Sequence, residues 1–232
     1  NQIESQIYGA QLILVEGLIN DAAKVAVTDA QRNGWFEVTT LKEPYRIEGK
    51  KTMGLELAEQ FREGDKLKLP DVVLYPTGGG VGLIGMWKAF DELECMGWID
   101  SKRPRFVVVQ SDGCAPIVKA FDQGAAASEM WANARTIASG LRIPAVRGDR
   151  MILRALKETN GTAVAVSDDD ILEAQWLIAR LGGVFAAPEG AACYAALARL
   201  VEAGWVQPHE KVIIFNTGAG MKYNEIMPKP VV

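Results

Sequence analysis

Histidine is almost absent: His209 is the single one in 232 residues. It lies in the polar run Gln207-Pro208-His209-Glu210-Lys211, ahead of an apolar stretch, which is the setting of a surface turn. Histidine-centred triads and histidine-rich metal sites are therefore poor readings. Cysteine is scarce as well. Cys95, Cys114 and Cys193 are far apart, odd in number and contain no CxxC pair. That argues against a zinc site and a disulfide framework, and fits a reducing compartment such as the cytoplasm. No apolar run reaches membrane-spanning length, and no basic-then-apolar leader is read. Positive charge is in slight deficit, with a net charge of −4 and a pI near 5.2. A nucleic-acid partner, which wants a basic face, is disfavoured.

What is present is the balance of an ordinary globule, 49% hydrophobic and 23% charged,. Apolar runs of strand length at 11–15, 35–40, 72–75, 105–110, 162–166 and 212–215 alternate with stretches of helical spacing at 19–33, 49–61, 83–96, 115–121, 149–159, 168–181 and 190–203,. Residues 1–8 read as the last turns of a helix ended by Gly9. Gly34 supplies another helix stop. Ser167 followed by Asp168, Asp169 and Asp170 is a strong helix start. Residues 41–47 read as a loop, and the small-residue segment 123–128 as a mobile one. This alternation predicts an α/β fold, a mainly parallel twisted sheet with flanking helices. A composition shift near residues 43–49 divides the chain into 1–43 and 44–232.

Four segments carry candidate chemistry. Gly78, Gly79, Gly80, Val81 and Gly82 join a buried-type strand to a helix. Glycines bring bare N–H groups close to a ligand, and the helix adds its positive end, so the loop suits a phosphate. It lacks the Lys-Ser/Thr of a nucleotide-triphosphate loop and a clean dinucleotide fingerprint. Asn216-Thr217-Gly218-Ala219-Gly220-Met221-Lys222 also leaves a strand, and Thr217 offers a hydroxyl. In Ala187-Pro188-Glu189-Gly190, Glu189 sits at a helix start, where an acid is favoured by the dipole alone or serves as a ligand. In Pro44-Tyr45-Arg46-Ile47-Glu48-Gly49-Lys50-Lys51-Thr52, three cations concentrate on an acidic chain. Arginine suits bidentate phosphate or carboxylate capture, and a solvated loop is the alternative.

Taken in order, PYRIEGKKT at 44–52, PTGGGVGLIGMWKAF at 76–90, ASGLR at 138–142, PEGAA at 188–192 and NTGAGMK at 216–222 resemble the fold-type II (tryptophan synthase β-like) family of pyridoxal-phosphate enzymes, and within it the threonine synthase group. The resemblance covers essentially the whole chain. It implies pyridoxal 5′-phosphate as cofactor, with its phosphate on Gly78, Gly79, Gly80, Val81 and Gly82. Thr217 would meet the ring nitrogen, Glu189 would lie near the ring, and Arg46 with Thr40 would bind the substrate's phosphate. The implied reaction takes O-phospho-L-homoserine to L-threonine and phosphate, in a homodimer. The implied domains are the remainder of a small domain at 1–43 and an incomplete large, cofactor-binding domain at 44–232.

One part of the family pattern is not found. The Ser-Phe-Lys-like segment with the Schiff-base lysine has no counterpart, nor has the asparagine loop that backs the ring. Lys222 belongs to the NTGAGMK match and is not assigned that role. The chain, which opens on Asn1, is thus expected to be the C-terminal portion of such an enzyme, without a catalytic residue of its own and inactive alone. Two other readings stay open. One is a sister activity on the same scaffold, such as threonine or diaminopropionate deamination or cysteine synthesis. The other is a non-enzymatic module that binds a phosphorylated small molecule.

Overall fold

The computed structural model describes residues 2–226. Four strands form one parallel sheet: β1 (Val72–Pro76), β2 (Arg105–Ser111), β3 (Thr162–Val166) and β4 (Val212–Ile214), in the order β3-β2-β1-β4. Parallel neighbours need long crossovers, and helices supply them. α4 (Val81–Cys95) joins β1 to β2. α5 (Pro116–Asp122) and α6 (Asp149–Glu158) lie between β2 and β3. α7 (Asp168–Gly182) and α8 (Pro188–Glu202) lie between β3 and β4. Ahead of the sheet come α1 (Gln2–Ile7), α2 (Ile19–Asn33) and α3 (Tyr45–Gln60).

Both faces of the sheet are covered, which is why its central strands read as unbroken apolar runs. Val73, Tyr75, Phe106 and Val108 point into one core with Leu83, Phe90 and Ile152. Their alternates Val72, Leu74, Val107 and Val109 point into a second core with Ile171, Ala192 and Ala196. The period of two along each strand sorts the side chains between the two cores.

Most of the expected elements form where the pattern puts them. α2 ends at Gly34 in the left-handed conformation, φ 68°, and Ser167 caps α7 by accepting from the Asp170 N–H at 3.1 Å. Three expectations fail. Residues 11–15 and 35–40 form no strand. Their β-rich composition fits a pleated surface only beside a partner strand, and among the described residues they have none. Nor is 41–47 a loop throughout, because α3 begins at Tyr45, with Glu43 accepting from the Arg46 N–H at 3.2 Å. Residues 123–128 are irregular, and Ser128 ties their end down by donating through N–H and hydroxyl to Asp149, at 2.7 and 3.1 Å.

Residues 2–40 bury little. Ile3, Ile7, Tyr8, Leu14, Trp35 and Phe36 are all more than half exposed.

Candidate functional site

The order of the strands places the site. The chain steps from β1 to β2 and β3 in one direction, then returns to set β4 on the other side of β1. An open α/β sheet binds ligands outside the carboxyl ends of the strands flanking such a reversal. Here those strands are β1 and β4. The loop leaving β1 is the glycine loop, and the loop leaving β4 carries Thr217. The Phe215 N–H still donates to the Leu74 carbonyl at 3.1 Å, so the two loops depart side by side. The rings of Tyr75 and Phe215 meet edge to face at 5.5 Å beneath them.

Residues 78–82 form a row of free donors. Among the described residues, the N–H groups of Gly78, Gly79, Gly80, Val81, Gly82 and Leu83 meet no acceptor. They stand at the amino end of a fifteen-residue helix, where orphan N–H groups and the dipole both favour an anion,. The glycines themselves are required for closeness to the protein. A Cβ on Gly78 would lie 2.3 Å from the Gly140 carbonyl oxygen, and one on Gly82 2.0 Å from the Tyr75 hydroxyl. Gly80 has φ 76° and Ile152 at 2.2 Å from the same position. Gly79 differs: its nearest neighbour would be the Thr40 methyl at 3.3 Å.

A second wall comes from the turn at Ser139–Leu141. Asp168, at the start of α7, holds its approach: it accepts from the Thr136 hydroxyl at 2.6 Å and the Ile137 N–H at 3.0 Å. Glu189 holds the turn itself. Although α8 starts one residue earlier, at Pro188, this carboxylate does more than face a helix dipole. It is only 7% exposed, and its Oε1 accepts from the Gly140 N–H at 2.7 Å and from the Tyr223 hydroxyl at 2.6 Å. The Tyr223 oxygen also meets Ser139 Oγ at 2.9 Å. Burial, with the Glu189 carboxylate beside it, pushes the Tyr223 phenol up to about 12. Next along α8, Gly190 packs so tightly on Asn216 that a Cβ would sit 2.4 Å from its side-chain oxygen.

The third wall carries Arg46. Helices α3 and α4 run in the same direction, with Lys50 against Gly85, and Gly54 against Met86 and Ala89. Their amino ends therefore share one edge of the molecule. Arg46 donates to the Thr40 hydroxyl at 2.9 Å and to the Val38 carbonyl at 2.7 Å. Thr40 in turn sets its methyl beside Gly79, 3.3 Å from where a Cβ would stand. The other cations of the segment are placed elsewhere. Lys51 is bonded to Glu48 and Glu92, both at 2.6 Å, and Lys50 packs by its backbone on α4.

The structure thus brings Gly78, Gly79, Gly80, Val81, Gly82, Glu189, Thr217, Thr40 and Arg46 to one carboxyl edge. Thr217 is exposed, and its hydroxyl has no partner among the described residues. Lys222 points elsewhere, toward Glu4 at 3.5 Å. Asp168, Ser139, Gly140 and Tyr223 join the site although the sequence gives none of them a site role. Residues 138–142 stood out in the sequence only as a motif, and Tyr223 follows one with no periodic or charge signal of its own. Among the described residues no group of His, Cys, Asp and Glu could hold a metal ion, and no helix is long and apolar enough to cross a membrane.

A doubly covered parallel sheet with an anion cradle at its reversal point is the layout of a ligand-binding α/β domain. The family of pyridoxal-phosphate dependent enzymes matches residues 1–218, and the chain belongs to it. The cofactor of that family is pyridoxal 5′-phosphate, and the N–H row and the Thr217 hydroxyl, both without a partner among the described residues and on adjacent strand exits, suit its two ends. The chain is 34% identical over 219 residues to the threonine synthase of Methanocaldococcus jannaschii, covering 94% of this chain and 53% of that protein. It is 31% identical to the threonine synthase of Mycobacterium tuberculosis, covering 94% and 57%. It spans about half the length of the curated relatives it matches. Among solved structures, the processed threonine deaminase isoform 2 of Solanum lycopersicum superposes with a TM-score of 0.75 at 21% identity, over 96% of this chain and 61% of that one. An L-serine ammonia-lyase of Rhizomucor miehei gives 0.74 at 21%, over 97% and 71%. These two likenesses show a fold-type II architecture.

Proposed function

We propose that the chain is the cofactor-holding part of a threonine synthase-like lyase, one that converts O-phospho-L-homoserine to L-threonine and phosphate. One observation carries the phosphorylated substrate: the Arg46 guanidinium is bonded to Thr40, whose methyl lies 3.3 Å from where a Cβ on Gly79 would stand. An arginine paired to no carboxylate among the described residues, near an anion cradle, suits a second phosphate.

In this reading the N–H groups of Gly78, Gly79, Gly80, Val81 and Gly82 hold the cofactor's phosphate, and the Thr217 hydroxyl meets its ring nitrogen. Arg46 and Thr40 bind and orient the phosphate of the substrate. Glu189 bonds to Gly140 and so fixes the wall between the two loops. The cofactor, when bound, supplies the electron sink for the elimination. No lysine of this chain is assigned to the reaction, so the chain is inactive by itself. Residues 1–43 belong to a small domain and 44–232 to the large one. The intact enzyme is a homodimer that works in the cytoplasm. The free thiols of Cys95, Cys114 and Cys193 suit that compartment.

The test is a binding comparison on the chain loaded with pyridoxal 5′-phosphate, read by tryptophan fluorescence. O-phospho-L-homoserine should bind more tightly than L-homoserine, and Arg46→Ala should erase the difference. Equal affinities in the unaltered chain would overturn the phosphorylated substrate and favour a deaminase-type substrate instead.

A further inference from the structure

The two ends of the cofactor site are joined by one continuous series of contacts, and its middle link is a hydrogen bond between Glu189, in the PEGAA segment, and Tyr223, one residue past NTGAGMK. Gly78 rests on the Gly140 carbonyl. The Gly140 N–H donates to Glu189 Oε1 at 2.7 Å. The same oxygen accepts from the Tyr223 hydroxyl at 2.6 Å. Gly190, the next residue after Glu189, is pressed onto Asn216, whose neighbour is Thr217. The first turn of α8 is therefore a spacer between the glycine loop and Thr217. Tyr223 closes the frame from the far side, because it lies six residues past Thr217 on the same exit segment and also touches Ser139 at 2.9 Å.

We infer that Tyr223 and Glu189 are positioning residues, which set the distance between the phosphate cradle and the Thr217 hydroxyl, so that one molecule carrying a phosphate and a pyridine nitrogen engages both. This inference rests on the cofactor assignment given above. Both bonds converge on a single carboxylate oxygen of a residue that is only 7% exposed. A hydrogen bond to a buried charge is among the stronger ones in a protein, and leaving such a group short of a partner costs more than an exposed contact returns. The pair is thus stiff, and a stiff spacer raises the affinity of a two-ended ligand without touching it. Neither side chain needs to meet the cofactor for this effect.

The experiment compares a two-ended ligand with a one-ended one on the 232-residue chain. Dissociation constants for pyridoxal 5′-phosphate and for inorganic phosphate are measured on the unaltered chain, Tyr223→Phe, Glu189→Ala and Glu189→Gln, with a melting curve on each. Tyr223→Phe should weaken pyridoxal 5′-phosphate by about tenfold or more while inorganic phosphate changes by less than about twofold. Glu189→Ala should do the same, and Glu189→Gln, which keeps an acceptor for Gly140, should recover part of the loss. Hydrogen exchange of ligand-free Tyr223→Phe supplies a readout that needs no cofactor: the amides of residues 138–142 should exchange faster, with those of β1 unchanged. Equal losses for the two ligands, or none for either, with unchanged exchange, would overturn the spacer role alone. Failure of the unaltered chain to bind either ligand would overturn the cofactor assignment and the spacer with it.

Discussion

The Arg46 guanidinium donates to the Thr40 hydroxyl at 2.9 Å, and the Thr40 methyl lies beside Gly79, 3.3 Å from where a Cβ would stand. Two residues six apart in sequence thereby tie the amino end of α3 to the loop at the amino end of α4. The guanidinium has a second bond, to the Val38 carbonyl at 2.7 Å, and no carboxylate partner among the described residues. It keeps its charge available to an incoming anion. Arg46→Ala should therefore weaken a phosphorylated substrate by roughly 1.5–3 kcal/mol, the worth of a charge-assisted hydrogen bond. The melting temperature should move little, since Arg46 is exposed. Calorimetric titration with O-phospho-L-homoserine checks it, and an unchanged dissociation constant removes Arg46 from the site.

The glycine loop should divide into positions that hold the fold and one that serves the ligand. A methyl on Gly82 meets the buried Tyr75 ring, and a methyl on Gly80 meets Ile152 at a positive φ. Gly80→Ala and Gly82→Ala should each lose stability, by roughly 1–3 kcal/mol as in other overpacked cores. Gly79→Ala meets only the Thr40 methyl at 3.3 Å, with no positive φ. It should melt within a degree or two of the unaltered chain, in proportion to a change of about 0.5 kcal/mol or less, and still bind phosphate less well. If the Gly79 variant melted as low as the Gly82 one, the division would be wrong.

The closeness of α3 and α4 is set by packing more than by charge. Lys51 and Lys88 each bridge Glu48 and Glu92, making a closed ring of four charges across the two helices. Most of its members are well exposed, and exposed ion pairs contribute about 0–1 kcal/mol. Lys88→Met should change stability by less than that, and the change should fade in molar salt. Gly54→Ala is different, since its methyl would come within 2.9 Å of the Ala89 side chain and 3.1 Å of the Met86 backbone. Denaturant titrations at low and high salt should show a larger, salt-independent loss for Gly54→Ala. The reverse ranking would mean that the ring holds the helices.

The sheet was legible because burial on both faces leaves an unmistakable trace. Strands such as Val72–Pro76 are apolar without alternation, and Ser167 or Gly34 mark where helices begin and end. The glycine loop was legible for a related reason, since at Gly78, Gly80 and Gly82 a Cβ would strike the Gly140 carbonyl, Ile152 and Tyr75. Tyr223 and Asp168 were not. A tyrosine that reaches back 34 residues to Glu189 leaves no local pattern, and Asp168 looks like one more acid at a helix start until Thr136 and Ile137 are seen to bond to it. The apolar stretches at 11–15 and 35–40 misled in the opposite sense. They have strand composition, but a strand is defined by its neighbour, and no described residue pairs with them.

Acid should unmask the cap of α7. The Asp170 carboxylate accepts from the Ser167 hydroxyl and N–H and from Arg199. The Ser167 bonds, with Arg199 adding to them, hold it below its ordinary value of 3.8. A carboxyl lowered in the folded state stabilises that state fully above its unfolded value. The contribution fades as pH falls below about 3.8 and through the lowered value, where both states become protonated. Asp170→Asn should accordingly melt lower than the unaltered chain at pH 7, with the two curves converging as the pH approaches the strongly acid end. Paired melting curves at pH 7, 5, 4, 3 and 2 (roughly bracketing the carboxyl range) measure the gap. A gap that stays constant down to pH 2 would mean that Asp170 acts through its shape at the cap and not through its charge.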